Sequence, residues 1–213
     1  MCVLIFERRS QAVRRKELFE EVIRSHGGVA KTADFLSAGI RADEVAALCN
    51  EGYITRIKHG YYELSPECDV PEEKLLSVFV PEAILCVESA LYHYGYSDFA
   101  PRKWAIAVPR TISRTKLSGS VLAIQPYYVE TNLYGLGRRT ERINGVALPI
   151  YDRERTICDC FKYRNRLDSE IFAKALNAYV RDSDKNLKNL SDYAKMLRVS
   201  KGLTEIMEVL LNG

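Results

Sequence analysis

Long hydrophobic runs are missing from this chain of 213 residues. No stretch approaches the roughly 20 apolar residues that a bilayer-spanning helix needs, so the sequence predicts neither a membrane segment nor a membrane partner. The start, Met1-Cys2-Val3-Leu4-Ile5-Phe6, reaches the charged Glu7-Arg8-Arg9 too soon for a signal-peptide core and has no basic residues ahead of it. The chain is therefore expected in the cytoplasm. A strong excess of one charge is lacking too: 31 Lys and Arg face 28 Asp and Glu, for a net charge of +3. Bulk attraction to nucleic acid is thereby excluded as an argument, and any such affinity must come from local placement of charge. Histidine is scarce. His26, His59 and His93 sit in separate segments and suggest no nucleophile–base pair. No glycine-rich phosphate loop follows a strand, since Tyr134-Gly-Leu-Gly137 is too short and wrongly placed. The six cysteines include no C-x-x-C pair, and Cys158 and Cys160 lie in a helical pattern where residues two apart diverge. Reduced, mostly buried thiols are expected, with no metal, no cofactor and no enzymatic activity.

What is present is a clear succession of periods. Leu18, Phe19, Val22 and Ile23 mark a helix over 11–26 that stops at Gly27-Gly28. A second, short helix begins at Thr32 as N-cap, turns Phe35 and Leu36 inward and ends at Ala38-Gly39. A third, Ala42 to Glu51, buries Val45, Leu48 and Cys49 and exposes Arg41, Ala42, Asp43, Ala46, Ala47 and Asn50. The period then falls towards two, and 53–64 reads as two strands joined at His59-Gly60. Helix, helix, glycine turn, helix and hairpin is the order of a winged helix-turn-helix, in which the third helix is free to enter a major groove.

Pro66 and Pro71 bracket a boundary, so residues 1–66 are expected as the DNA-binding domain and 67–213 as a second domain. There, helices are expected over 71–79 and 81–94, buried strands at 104–108 and 121–124, and a hairpin over 138–151 turning at Asn144-Gly145. From Asp152 the pattern is helical to the end. The predicted class is α+β: a winged helix-turn-helix, then a mixed α+β domain ending in a helical bundle.

Residues 29–64 resemble the N-terminal domain of AbiEi-type antitoxins of type IV toxin–antitoxin systems. The resemblance rests on Ala38-Gly39-Ile40 and on Gly52-Tyr53-Ile54-Thr55-Arg56-Ile57-Lys58-His59-Gly60-Tyr61. The second domain is similar to the same family at Ser89-Ala90-Leu91 and at Asp152-Arg-Glu154-Arg155-Thr156-Ile-Cys-Asp159. The resemblance implies a regulator that binds inverted repeats in the double-stranded DNA of its own promoter. It further implies a C-terminal domain that counteracts a co-encoded nucleotidyltransferase-like toxin, without a stable complex. A stand-alone regulator with a ligand-sensing or dimerising second domain is the alternative.

The candidate DNA-binding residues are Lys31, Thr32, Arg41, Asn50, Arg56, Lys58 and His59. Lys31 and Thr32 suit a phosphate at a helix start, or a plain cap beside a solvated lysine. Arg56, Lys58 and His59 suit a wing that meets the DNA backbone or minor groove, or a solvated hairpin. Arg41 and Asn50 are the obvious readers of base edges, whereas Asp43 and Glu44 favour a helix N-terminus yet would repel phosphates. Arg8, Arg9, Arg14, Arg15 and Lys16 form an N-terminal arm that grips phosphate, or the polar face of the first helix with a frayed start. In the second domain Arg155, Lys162 and Arg166 share a helical face with Asp159, as an antitoxin surface or as a solvated face with internal ion pairs; alternatively Glu154 and Arg155 pair with the sheet and serve only the fold. Asp152 and Glu154 are explained by capping. Tyr92, Tyr94 and Tyr96, with Trp104, line a sensing pocket or serve as amphipathic packing.

Overall fold

Helix α1, Cys2–Ser25, lays Phe19, Val22 and Ile23 along one face, and these three are buried. A computed structural model describes residues 2–65, 70–118 and 121–212, with side chains from Val13 to Leu210. The chain divides into two compact units, the first running to Val78 and taking in Val121, the second comprising Phe79–Ser118 and the chain from Leu122. In the first unit α1 is followed by strand β1, Ala30–Lys31, then α2, Thr32–Ser37, and α3, Ala42–Asn50. A hairpin of β2, Ile54–Lys58, and β3, Tyr61–Leu64, completes a three-stranded antiparallel sheet in the order β1-β3-β2. Phe19, Ile23, Ala30, Phe35, Ile40, Val45 and Ile54 form its core. This is a winged helix-turn-helix: α2 and α3 are too short to enclose a core, and α1 and the sheet close it.

Helix α4, Glu72–Phe79, belongs to the first unit as far as Val78, and the second unit continues with β4, Ile84–Leu85, and α5, Val87–His93. Then come β5, Trp104–Pro109, α6, Arg114–Leu117, β6, Ile124–Val129, α7, Thr131–Tyr134, β7, Arg138–Ile143, and β8, Val146–Tyr151. The five strands order as β6-β5-β4-β8-β7, with β5–β6 and β4–β8 parallel and the other two pairs antiparallel. The remainder is helical: α8, Arg153–Lys162, a 3₁₀ turn, Arg164–Arg166, then α9, Ser169–Arg181, α10, Leu187–Leu197, and α11, Ser200–Asn212. Mixed sheet followed by helices gives the α+β class expected from the sequence. No helix among the described residues is long and apolar enough to cross a membrane.

Several local expectations need correction. The first helix starts at Cys2, so the arginine-rich segment is helix and not a loose arm. The side chains of Arg8 and Arg9 lie outside the described residues. Leu36 is exposed, because the six residues of α2 can turn only one narrow face, led by Phe35, to the core. Residues 81–94 are not one helix: Ile84 and Leu85 form the central strand, and the chain turns sharply at Val87, whose φ is 41°. A short apolar run fits a buried strand and a helix equally, and pairing with β5 and β8 decides for the strand. The strand expected at 121–124 begins at Ile124 and runs to Val129, and Val121 is exposed. The hairpin turn at Asn144-Gly145 stands as expected, with both residues at positive φ.

The largest correction concerns Arg155, which is fully buried and cannot belong to a solvent-facing antitoxin surface. Its Nε donates to Asp159 Oδ1 at 3.1 Å and its Nη1 to the carbonyls of Leu133 and Leu136 at 2.8 and 3.0 Å. Its guanidinium lies 4.2 Å from the ring centroid of Tyr151. Burial opposes ionisation of Arg155, but Asp159 together with Tyr151 and Tyr163 outweighs it and holds the group charged. Beside it, Asp152 Oδ1 caps α8 by accepting from the Arg155 amide at 2.8 Å, and Glu154 Oε1 accepts from Tyr179 and from the Asn186 amide. The Asp-Arg-Glu-Arg-Thr segment is thus the polar keystone that joins α8 to the sheet and to α9–α10. Replacing Arg155 by methionine is expected to cost about 3–5 kcal/mol in urea unfolding, because Asp159 is left buried and unpaired. Adding Asp159→Leu should restore most of that loss; a double variant no more stable than the single one would contradict the keystone role.

Candidate nucleic-acid interface

The short strand β1, which the sequence reading did not include, gathers the basic residues of the first unit. Lys31 pairs with Tyr61 across β1–β3, and Tyr61 with Lys58 across β3–β2. Directly opposed residues share a sheet face, so Lys31, Tyr61 and Lys58 form one row. The Lys31 ammonium lies 5.8 Å from the Tyr61 ring centroid. Burial pushes the Lys58 ammonium below the usual lysine range. At the tip, Gly60 takes φ +76°, and the register shifts between Arg56 and Lys58. Arg56 and His59, both exposed, touch through Nη2 and Nδ1.

Thr32 is committed to this corner. Its amide donates to the Gly60 carbonyl at 3.0 Å and its hydroxyl to the same oxygen at 3.5 Å, which ties the start of α2 to the wing tip. It is the first residue of α2 and not its cap. Lys31 is the N-cap residue, and its amide donates to Asp34 Oδ2 at 2.7 Å. Both amides are therefore occupied, and only the Lys31 side chain faces outwards. The structure brings Lys31, Thr32, Lys58 and His59 to one corner, with Arg56 beside them.

Arg41 and Asn50 stand apart, at opposite ends of α3. Nine residues at a 1.5 Å rise separate them by about 13 Å. Arg41, Ala42, Asp43, Ala46, Ala47 and Asn50 are all exposed, as the sequence suggested. The acidic pair is not a bare negative patch. Glu44 Oε2 accepts from the Arg41 amide at 2.8 Å and caps α3, while Arg15 of α1 donates to Glu44 through Nε at 2.9 Å and Nη2 at 2.5 Å. Hydrogen bonding to Arg15 holds the Glu44 carboxyl below its usual range. Asp43 pairs with Arg41, Nε to Oδ1 at 2.9 Å and Nη2 to Oδ2, and this hydrogen bonding holds Asp43 low as well. Arg15 is thus a brace for the recognition helix, and Lys16 lies 3.6 Å from Glu51 and 4.6 Å from the Tyr53 ring centroid.

The sequence carried a signal for both caps. Lys31-x-x-Asp34 and Arg41-x-x-Glu44 have the three-residue spacing of a capping box, with the N-cap side chain replaced by a basic one. Of the residues expected on the second-domain surface, Lys162 and Arg166 are exposed, but α8 ends at Lys162 and Arg166 lies in the 3₁₀ turn. No group of three metal-ligating side chains occurs among the described residues. Tyr94 and Tyr96 are bound into the fold through the Tyr151 carbonyl and Asp182, and Tyr92 is half exposed. Glu44→Ala is expected to lower the stability of the chain by about 1 kcal/mol, the usual worth of a capping carboxylate. Hydrogen exchange should then rise at Asp43, Glu44 and Val45; unchanged exchange there would show that the brace is ornamental.

A protein-family model described as "Transcriptional regulator, AbiEi antitoxin" matches residues 16–65. No curated protein matches the chain. Among solved structures, the RV2827C protein from Mycobacterium tuberculosis aligns with a TM-score of 0.61 at 16% identity, covering 83% of this chain and 70% of that one. At that identity the likeness is one of fold alone. The matched residues hold the C-terminal part of α1, all of β1, α2 and α3 and the whole wing, together with every candidate DNA-binding residue. Over residues 16–65 the chain is thus similar to the AbiEi antitoxin family of transcriptional regulators.

Proposed function

We propose that this protein is a DNA-binding autorepressor and the antitoxin of a type IV toxin–antitoxin system active in phage defence. In this reading residues 1–66 bind inverted repeats in the chain's own promoter. Residues 67–213 counteract a co-encoded nucleotidyltransferase-like toxin without forming a stable complex with it, and the protein works in the cytoplasm. The observation that carries the DNA-binding half is the basic corner, where β1 sets Lys31 in line with Lys58 beside Arg56 and His59. In a winged helix this corner meets phosphate or minor groove while α3 enters the major groove. Lys31, Arg56, Lys58 and His59 supply backbone contacts, Thr32 holds the wing in place, and Arg41 and Asn50 read bases. For the antitoxin half, Lys162 and Arg166 remain as exposed basic residues, whereas Arg155 supports the fold.

A second reading, a stand-alone regulator with a ligand-sensing C-terminal unit, draws on an open cleft of about 690 Å³ lined in part by Glu88, Arg102, Lys103, Gln125 and Asp168. Co-expression separates the two readings. The full chain should rescue growth against the neighbouring toxin gene, and rescue that is absent or ligand-dependent would favour the sensor. For the wing, Arg56→Ala with Lys58→Ala should weaken binding to the upstream promoter fragment. It should also reduce the slope of log affinity against log salt by about 2, roughly 0.9 per lost phosphate contact. The same variant should still rescue growth. Unchanged affinity and slope would remove the wing from the interface.

A further inference from the structure

Asp43 is the acidic residue that a phosphate-binding surface should avoid, and it makes neither the capping contact of α3 nor the link to α1. Glu44, not Asp43, caps α3 and joins it to α1. An exposed ion pair such as Arg41–Asp43 adds little to stability. Its position gives the clue. Asp43, Ala46, Ala47 and Asn50 follow one another at i, i+3, i+4 and i+7, so they form one stripe along α3, and all four are exposed. Val45 and Leu48 lie on the buried side. Arg41 precedes the helix as its N-cap residue, and its guanidinium joins the stripe because Asp43 holds it there.

We propose that Asp43 is a positioning residue that aims Arg41 at a guanine, so that this regulator selects a guanine at one position of each half-site. This rests on the reading of α3 as the groove helix. The guanidinium has five N–H donors in a rigid fork. Nε and one Nη2 hydrogen go to the two oxygens of Asp43. The outer edge, Nη1 and the second Nη2 hydrogen, remains directed away from the carboxylate. That edge matches the paired O6 and N7 acceptors that guanine alone presents in the major groove. The base of the side chain is fixed as well, since the Arg41 amide is held by Glu44, itself gripped by Arg15. An arginine ordered before it meets DNA loses less rotamer freedom on binding. Ala46 and Ala47 present only methyl groups, so the helix backbone can approach the groove floor closely. Arg41 and Asp43 keep 75% and 62% of their side-chain surface open, which leaves the outer edge accessible.

The two roles of Asp43 predict opposite signs. As a mere charge it repels DNA, and its removal would tighten binding to every sequence alike. As a positioning residue, its removal relaxes discrimination at one base pair. The full chain is incubated with a randomised duplex pool, the bound fraction is sequenced, and dissociation constants are measured on the selected duplex and on its guanine-to-adenine counterpart. The wild type should favour guanine about ten- to hundredfold at the position that Arg41→Ala erases. Asp43→Ala should cut that ratio by about three- to tenfold while non-specific affinity holds or rises. Asp43→Asn, which keeps one acceptor, should fall between. Uniform tightening by Asp43→Ala with an unchanged ratio overturns the inference, as does the absence of a guanine preference traceable to Arg41. Both of those outcomes leave DNA binding itself standing, provided the wing variant still weakens it. A wild-type chain that enriches no duplex overturns the inference and the DNA-binding reading together.

Discussion

The Glu44 carboxylate is the constraint on which the geometry of the first unit depends. It accepts from the Arg41 amide and so starts α3, and it takes two hydrogen bonds from Arg15 and so fixes α3 against α1. Without it the nine-residue α3 would be held mainly by Val45 and Leu48, an apolar contact that resists separation better than rotation. In the proposed function α3 enters a groove, which requires it to be fixed in rotation as well as in place, because the proposed readers lie on one stripe. On the other side of α2, Thr32 and Asp34 do for the wing what Glu44 does for α3. Thr32 binds the Gly60 carbonyl, and Asp34 receives the Lys31 amide.

This bracing also answers the charge problem. A net charge of +3, nearly balanced in the first 64 residues, promises little attraction for DNA. Much of the acidic charge near α3 is paired. Glu44 is matched by Arg15, Asp43 by Arg41, and Glu51 lies near Lys16. Those acidic charges are thus held by basic partners of the same unit, while Lys31, Arg56 and Lys58 gather at the wing corner. The second unit uses charge differently. Arg155 and Asp159 are desolvated within α8 and its neighbours, where they specify how helix and sheet meet and are closed to any partner.

The sequence was legible wherever a period was long or a turn was explicit. α1, α3, α9, α10 and α11 follow from apolar spacing, and the two hairpins follow from His59-Gly60 and Asn144-Gly145. It was misleading where the run was short. β1 and β4 have two residues each, and no periodicity exists over two residues; only pairing with β3, and with β5 and β8, defines them. The exposed residues of α3 were readable, but their partners were not, because Arg15 and Glu44 are 29 positions apart. The surface reading of Arg155 failed for a related reason, and the alternative in which it serves the fold is the one that fits. An i, i+4, i+7 row of charges on a helix reads as a wet face, unless the row is covered by the Leu133–Leu136 carbonyls that no spacing reveals.

In the proposed function the braced helix α3 and the basic wing corner, both in the first unit, form one DNA-binding surface. Hydrogen–deuterium exchange of the full chain, with and without the DNA upstream of its own gene, tests it most directly. Exchange should slow on DNA binding at Lys31–Thr32, at the first turn of α3 and across 56–61, with the second unit unchanged. Protection concentrated in the second unit, with α3 and the wing unaffected, would contradict it.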